Sequence, residues 1–426
     1  MRILVFNQTW MIEEFRAAGH EVKSVGMHPE CDVRHVPPLV HIDTILSKYL
    51  DGFEPDRIVF WDNSAPITVL GIEDTRYPIF FYSVDTHHHF EYHRYLAHVF
   101  DSTLIAQRDY LHHFADQGER VGWMPLWASR WVDPSPERNY GPVFVGNMDR
   151  KLNPLRVEFF DRLKALRDVY TTMGEYWRIF PHAQCVINQT VKGDLNFRVF
   201  EVMMCGVPLL TERAPNGLGD LFTEGVHYLG YERNDPEDAA RQIDWITSHP
   251  ERCAELARTA RDEVVRNHLP QHRAAQVDSI LRALVKRDNT PKRFPMFMNF
   301  SVLARRMEAI DTTYAKKALL HAMRIVADAC RDGESMTMEI ACHCVFSAIT
   351  YDRVFQSVAG ENLIRELAER YPKEKILQLS LIRSLLNRGS QQAAQAIAEA
   401  VFEEPPREIF RNAETVVAGI LSSLME

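Results

Sequence analysis

Three polar side chains interrupt the apolar run from Leu195 to Cys205: Asn196 near its start, then Arg198 and Glu201. Read as a helix, the run is apolar nearly all round, through Leu195, Phe197, Val199, Phe200, Val202, Met203 and Met204, which marks a core helix rather than a surface one. A spacing of three puts Arg198 and Glu201 on neighbouring positions of one face. Charges in such a helix are costly unless they pair or face a ligand cleft. Two readings follow. In one, Arg198 and Glu201 form an ion pair that satisfies itself at the helix surface. In the other, the arginine meets a diphosphate while the carboxylate accepts ribose hydroxyls.

The flanking segments bear on that choice. Cys185 to Asn188 reads as a short buried strand, Thr190 to Asp194 as a polar loop and Pro208 to Thr211 as another strand. Gly206 fits the left-handed stop of the helix, and Val207-Pro208 turns the chain extended. In open α/β sheets, ligands bind beyond the carboxyl ends of the strands, where a helix N-terminus offers free N–H groups to a phosphate. The pattern suits a nucleotide sugar.

The run NFRVFEVMMCGVPLLTE resembles the sugar-donor segment of GT-B glycosyltransferases, and within them the CgeB-like, spore-maturation-protein-like branch related to family 4 enzymes. The resemblance maps a ribose-binding glutamate onto Glu201. Better-known relatives carry a second glutamate eight positions earlier, where this chain has Gly193; Asn196 and Arg198 match the N-x-R wording of the CgeB-like branch. The resemblance covers roughly the first two thirds of the chain. It implies a metal-independent enzyme without a cofactor, which uses a nucleotide sugar as substrate and retains anomeric configuration.

With 426 residues the chain is long enough for two to three domains. Its 49 lysines and arginines against 58 acidic residues give a net charge of -9, which argues against general nucleic-acid binding. No apolar run has the length of a transmembrane segment, and Met1 leads directly into RILVF, so a cytoplasmic location is expected. The seven cysteines are scattered, without a C-x-x-C pair, and reduced thiols are expected. Cys342-His343-Cys344 is read as a helical core position rather than a metal site.

From Met1 to about Trp127, apolar strands alternate with helices. Strands are expected at Arg2–Phe6, Glu21–Val25, Arg57–Trp61, Ile79–Val84, Ser102–Ala106 and Val121–Met124, as in a doubly wound Rossmann-like domain. No G-x-G-x-x-G follows the first strand. Trp61-Asp62-Asn63 ends one strand and Asp85-Thr86-His87-His88-His89 ends another, so both open onto one edge of the sheet. Asp85, His87 and His88 are the catalytic candidates, because a histidine titrates near neutrality and can orient a hydroxyl or steady a leaving phosphate. Solvated histidines at a helix start are the alternative. No metal is expected, since spacing supplies no third ligand beside His89 and His93.

Met124–Ala128 and the proline-rich Asp133–Pro136 read as a crossover. The next strand, Pro142 to Asn147, ends in Gly146-Asn147, which can approach a ligand; Arg150 and Lys151 follow, suited either to a donor phosphate or to solvent. Gly217 lies in a glycine loop similar to one that approaches the donor sugar in the resembling family. A long helical run is expected over Pro250–Leu284. The fold class is thus α/β, with two Rossmann-like domains of GT-B type followed by an α-helical domain: residues 1–130 for the acceptor, 140–287 for the nucleotide sugar, and 288–426 helical, with Leu377–Pro406 resembling a tetratricopeptide unit. The expected function is a hexosyltransferase-like glycosyltransferase moving a sugar to an acceptor hydroxyl on a glycan, protein or small molecule, with partner binding or self-association through 288–426, where a passive stabilising cap is the alternative. The alternative is a catalytically silent nucleotide-sugar-binding protein, kept open by Gly193; an epimerase or phosphorylase is a third reading.

Overall fold

The computed structural model describes residues 1–425 apart from His35, 288–291 and Ala309. Thirteen strands occur among them: β1 (Arg2–Phe6), β2 (Glu21–Val25), β3 (Val40–His41), β4 (Arg57–Trp61), β5 (Val69–Leu70), β6 (Ile79–Ser83), β7 (Ser102–Ile105), β8 (Val121–Trp123), β9 (Tyr140–Val145), β10 (Tyr170–Thr172), β11 (Ala183–Asn188), β12 (Leu209–Glu212) and β13 (Leu229–Tyr231). They form a six-stranded sheet of order β2-β1-β4-β6-β7-β8, a five-stranded sheet of order β10-β9-β11-β12-β13 and the small β3-β5 pair. Every ladder is parallel. This explains the strand sequences: β6, Ile79-Phe-Phe-Tyr-Ser, is buried at every position, as a strand covered on both faces must be.

Strand order reverses between β1 and β4 in the first sheet and between β9 and β11 in the second. Crevices open at such switch points, beyond the carboxyl ends of the strands. In the first sheet Asp62 and Asn63 follow β4 at that point, with Asp85 to His89 after the neighbouring β6.

The helix expected over Leu195–Cys205 spans Phe197–Met204 and is followed by Gly206 at φ 65°. The run expected over Pro250–Leu284 is instead two helices, Pro250–Asn267 and Pro270–Ala283, because Pro270 has no N–H to donate and starts a new helix. The second of these returns to the first sheet: Asp278 pairs with His20 at 2.7 Å, and Arg57 Nε donates to Leu281 O at 2.8 Å. The helix after β6 spans Thr86–Val99, with a kink at His89.

The helical final third begins with Arg293–Glu308 and continues through six further helices to Met425; the boundary expected at 287/288 abuts residues 288–291, which lie outside the described ones. Its first helix is buried almost throughout and shares one hydrophobic core with the first sheet: Phe297, Phe300 and Leu303 cluster with Leu4, Phe6, Phe60, Phe81 and Tyr92. Asn299, fully buried, clamps the chain after β4 by accepting from Ile67 N at 2.8 Å and donating to Ile67 O at 2.9 Å. Within the segment expected as a tetratricopeptide-like unit lie the helices Lys375–Asn387 and Gln391–Val401. Cys344 is buried in the helix Met338–Phe355, where His343 Nδ1 meets Ser301 Oγ at 3.0 Å.

Candidate active site

At the switch point of the second sheet, a cavity of about 330 Å³ is lined by Gly146 and Asn147 beyond β9, Met173 and Gly174 beyond β10, Asp194 and Asn196 beyond β11, and Phe197, Arg198 and Glu201 of the following helix. Val145, Arg156, Tyr176 and Phe180 complete its wall. Gly146, Asn147, Asn196, Arg198 and Glu201 therefore converge, although 55 residues separate the first from the last in sequence.

Arg198 and Glu201 do not pair with each other. The guanidinium of Arg198 lies over the Phe144 ring, 4.5 Å from its centroid, and donates to Asn188 Oδ1 at 2.8 Å and to Val145 O at 2.9 Å. Gly146 makes this possible, because a Cβ there would stand 2.6 Å from Arg198 Nη2 and 2.7 Å from the Phe144 ring. Arg156 approaches the same ring at 5.3 Å and donates to Gln189 Oε1 at 2.8 Å and to Asn147 O at 3.3 Å. Among the described residues neither arginine has a carboxylate within salt-bridge distance. Burial, and then the charge of Arg156, push the Arg198 pKa down to about 10, and burial lowers that of Arg156. Two cations beside one cavity, Arg156 buried and Arg198 half-buried, anchored on neutral acceptors, form a site that lacks its anion.

The carboxylates lie around them. Glu201 accepts from Ser129 Oγ at 3.0 Å, and Ser129 Oγ lies 3.1 Å from the Tyr176 hydroxyl, so the crossover between the sheets touches the site directly. Burial raises the Glu201 pKa. Asp194 accepts from Val191 N at 2.6 Å and is 9% exposed, and burial pushes its pKa up to about 6. Asp194 and Arg156 are the residues that sequence reasoning missed. The position compared was Gly193, one residue short of a carboxylate that does face the cavity. Arg156 reads as an ordinary helix arginine in Pro154–Leu166, yet it is only 8% exposed. Asn196 Oδ1, also in the cavity wall, is buried without a hydrogen-bond partner.

Arg150 and Lys151 fall outside this cavity; both are exposed, and Arg150 pairs with Asp161 at 2.6 Å. Gly217 is outside it as well. Its φ of 95° and the Trp123 ring, 2.4 Å from where a Cβ would stand, make it a close packing point between the second sheet's loops and β8.

Asp85, His87 and His88 are held at the carboxyl end of β6 by Asp62, whose carboxylate accepts from Val84 N at 3.0 Å and Asp85 N at 2.8 Å. Asp62 is nearly fully buried, and burial raises its pKa to about 6. Behind it, His93 Nδ1 meets Ser83 Oγ at 2.7 Å. Asp85 also accepts from Ser64 Oγ. His87 is 6% exposed with Nδ1 unpartnered, and its pKa is pushed down to about 3 by burial first and then by His88 and Lys192. His88 is exposed, and burial of its ring lowers its pKa as well. Both imidazoles are neutral near pH 7. The loop meets the second sheet's loop where Lys192 Nζ donates to His87 O at 3.4 Å. Gln107, beyond β7, accepts from Leu195 N at 2.9 Å, and Trp10, beyond β1, packs on Phe197 at 5.8 Å between ring centroids. The carboxyl edges of the two sheets thus meet beside the cavity, whose lining comes from the second sheet; Asp85, His87 and His88 are not among its lining residues. Among the described residues, no three His, Cys, Asp or Glu side chains are gathered as a metal site, and no helix is long and apolar enough to cross a membrane.

Two parallel α/β sheets facing each other across a cleft, with the polar site on the second, define the GT-B class of fold. Residues 130–279 match the family model of glycosyl transferase-like proteins. No curated protein matches the sequence. Among solved structures, HepE from Anabaena in complex with UDP and glucose is 12% identical, the match covering 67% of this chain and all of that one, with a TM-score of 0.51. Sucrose-phosphate synthase from Thermosynechococcus elongatus is 12% identical over 67% of this chain and 99% of that one, with a TM-score of 0.49. TarM is 11% identical over 53% of this chain, which spans about half of TarM (54%), with a TM-score of 0.43. The chain has a GT-B fold and carries a glycosyl transferase-like domain over residues 130–279.

Proposed function

We propose that the protein transfers a sugar from a nucleoside diphosphate sugar to an acceptor hydroxyl, with the donor in the cavity of the second sheet. The observation that carries this reading is the pair of guanidiniums, Arg156 buried and Arg198 half-buried, facing one cavity with no carboxylate paired to either among the described residues. A diphosphate supplies the missing negative charge. Glu201, beside Tyr176, receives the ribose hydroxyls, and Asp194 receives a hydroxyl of the sugar. The free N–H groups at the start of the helix Phe197–Met204 add partial positive charge on the same side.

In the reaction, the bond from the anomeric carbon to the β-phosphate oxygen breaks as the acceptor oxygen bonds to that carbon. The charge that develops on the departing diphosphate is countered by the two arginines, so the site performs this work with side chains rather than a metal. Front-face attack, with the acceptor proton passing to the departing phosphate oxygen, gives retention. His87 and His88, neutral near pH 7, orient hydroxyls by hydrogen bonding and do not hold a charge; Asp85 holds their loop to Ser64. The wording of Asn196 and Arg198 supports placement in the CgeB-like branch. The silent-binder reading rests on Gly193, and Asp194 in the cavity removes its main support.

HepE is bound to UDP and glucose in its structure, which makes UDP-glucose the first donor to test. The experiment is a thermal-shift screen against UDP, GDP, ADP, CDP and dTDP sugars, followed by release of the nucleoside diphosphate from whichever donor stabilises the protein. Ligand binding to the folded state raises its melting temperature. Stabilisation by none of them at millimolar concentration refutes the donor site, and stabilisation without turnover restores the silent binder.

A further inference from the structure

We propose that the acceptor occupies a second cavity, at the switch point of the first sheet, and that it is an uncharged glycoside carrying an alkyl chain. This rests on the transferase reading. The cavity, about 670 Å³, lies beyond the ends of β1, β2 and β4 and is walled on one side by Met27 to Pro29 and by Val36, Pro37, Pro38 and Val40. Its volume suits a ligand of twenty to forty heavy atoms, within the range of small-molecule sites.

The chemistry of its wall differs from that of the donor cavity. Phe6, Val25, Val36, Val40, Ile45 and Val69 give it an apolar body, extended by prolines 29, 37 and 38. Among the described lining residues there is no aspartate, glutamate, lysine or arginine, and the titratable one is His28, at the exposed rim. A charged acceptor body entering here would shed its hydration without gaining a partner. An alkyl chain has nothing to lose.

Three amides stand together where β1 and β4 end. Asn7 and Gln8 follow β1 and Asn63 follows β4, and all three line the cavity. That end adjoins the site: Asn63 precedes Ser64, whose hydroxyl donates to Asp85, and Trp10, two residues beyond Gln8, packs on Phe197 in the wall of the donor cavity. Asn7 Nδ2 already donates to Trp61 O at 2.7 Å, so Gln8, Asn63 and the Asn7 amide oxygen match the hydroxyls of a sugar head, and their position turns that head toward Asp85, His87 and the donor. The chain of the glycoside then lies along the valines, away from the diphosphate.

The test is equilibrium binding of octyl β-glucoside, below its micelle concentration, against methyl β-glucoside, by saturation-transfer NMR and calorimetry on the full chain without nucleotide. Each methylene buried multiplies affinity roughly fourfold, so three seated methylenes make the octyl compound about 50-fold tighter. Val36→Trp and Val69→Trp, two independent ways to fill the cavity, should abolish this preference while circular dichroism and nucleotide stabilisation stay as in the parent chain. Equal binding of the two glycosides overturns the proposal. So does a chain-length preference that survives in either well-folded tryptophan variant, which would show adsorption elsewhere. If octyl glucoside behaves as expected but no nucleotide binds, the transferase reading fails and the cavity stands as an alkyl-glycoside site.

Discussion

Replacing Arg198 with methionine separates a ligand-binding arginine from a structural one. Its pKa of about 10, against an ordinary value above 12, corresponds to about 3 kcal/mol of bias against the charged form in the free protein. Methionine removes that burden and keeps most of the volume. The substitution also strands Asn188 Oδ1 and Val145 O, at about 1–3 kcal/mol for each acceptor left dry. These opposing effects nearly cancel, so the ligand-free melting temperature of Arg198→Met should lie within a few degrees of the parent. Binding of a nucleoside diphosphate should not be spared. Loss of one charge-assisted contact of about 1.5–3 kcal/mol weakens it roughly 10- to 150-fold. The free nucleoside, which has no phosphate to meet Arg198, should be affected less than threefold. Calorimetry with UDP and uridine, beside a thermal melt, measures all three quantities. A collapse of the melting temperature with equal losses for UDP and uridine would refute the reasoning and make Arg198 a core support.

Three further outcomes are expected. Burial holds the Asp194 pKa at about 6, above its unfolded value near 4, so the folded chain binds this proton more tightly; the stability it contributes is present below about pH 4 and is lost as pH rises through 6. Asp194→Asn should therefore gain up to about 3 kcal/mol on the parent between pH 4 and 7, read from thermal melts across that range, and lose turnover. Gly217→Ala should destabilise by about 2 kcal/mol or more, because it combines φ 95° with a collision on the Trp123 ring; denaturant titration measures this. A chain ending at residue 287 should be insoluble or molten by near-ultraviolet circular dichroism, since it exposes Phe6, Phe60 and Phe81 where the helix Arg293–Glu308 now covers them.

The sequence made the two sheets legible because a parallel sheet buried on both faces leaves continuous apolar runs, such as RILVF and IFFYS, that admit little else. It also singled out Asn196, Arg198 and Glu201, since charge inside an apolar helix stands out at a glance. What it hid follows from the same logic. Arg156 lies in a helix with ordinary polar neighbours, and only the fold brings it beside Phe144 opposite Arg198. Asp194 was overshadowed by an alignment at Gly193, where a one-residue change in loop path decides which side chain faces the cavity. Arg150 and Lys151 attracted notice for their position in a loop before a helix, but their long side chains find solvent and, for Arg150, Asp161. The break at Pro270 was visible as a proline, yet a proline at the first position of a new helix reads much like one inside a long helix until the chain direction is known.

The helical third was expected to serve partners or self-association, with a passive stabilising cap as the alternative. Its first helix, however, is apolar on all sides in the way that marked Phe197–Met204 as a core element, and it fills the corresponding place against the first sheet. Arg305 and Arg306 of that helix both reach Glu91, and Arg306 Nη2 lies 3.3 Å from His89 Nδ1. These contacts fall on the turn that begins with His87 and His88. They lie on the helical side of that turn, while Asp62 holds its strand side through the backbone of Val84 and Asp85. The helical third is thereby a cover of the first sheet and a support of the histidine loop. Surface left on its outer helices remains for partners, but the inner one is committed to the fold, so substitutions at Arg305 or Arg306 should act on turnover through the position of His87 and leave nucleotide affinity, which is set on the second sheet, unchanged.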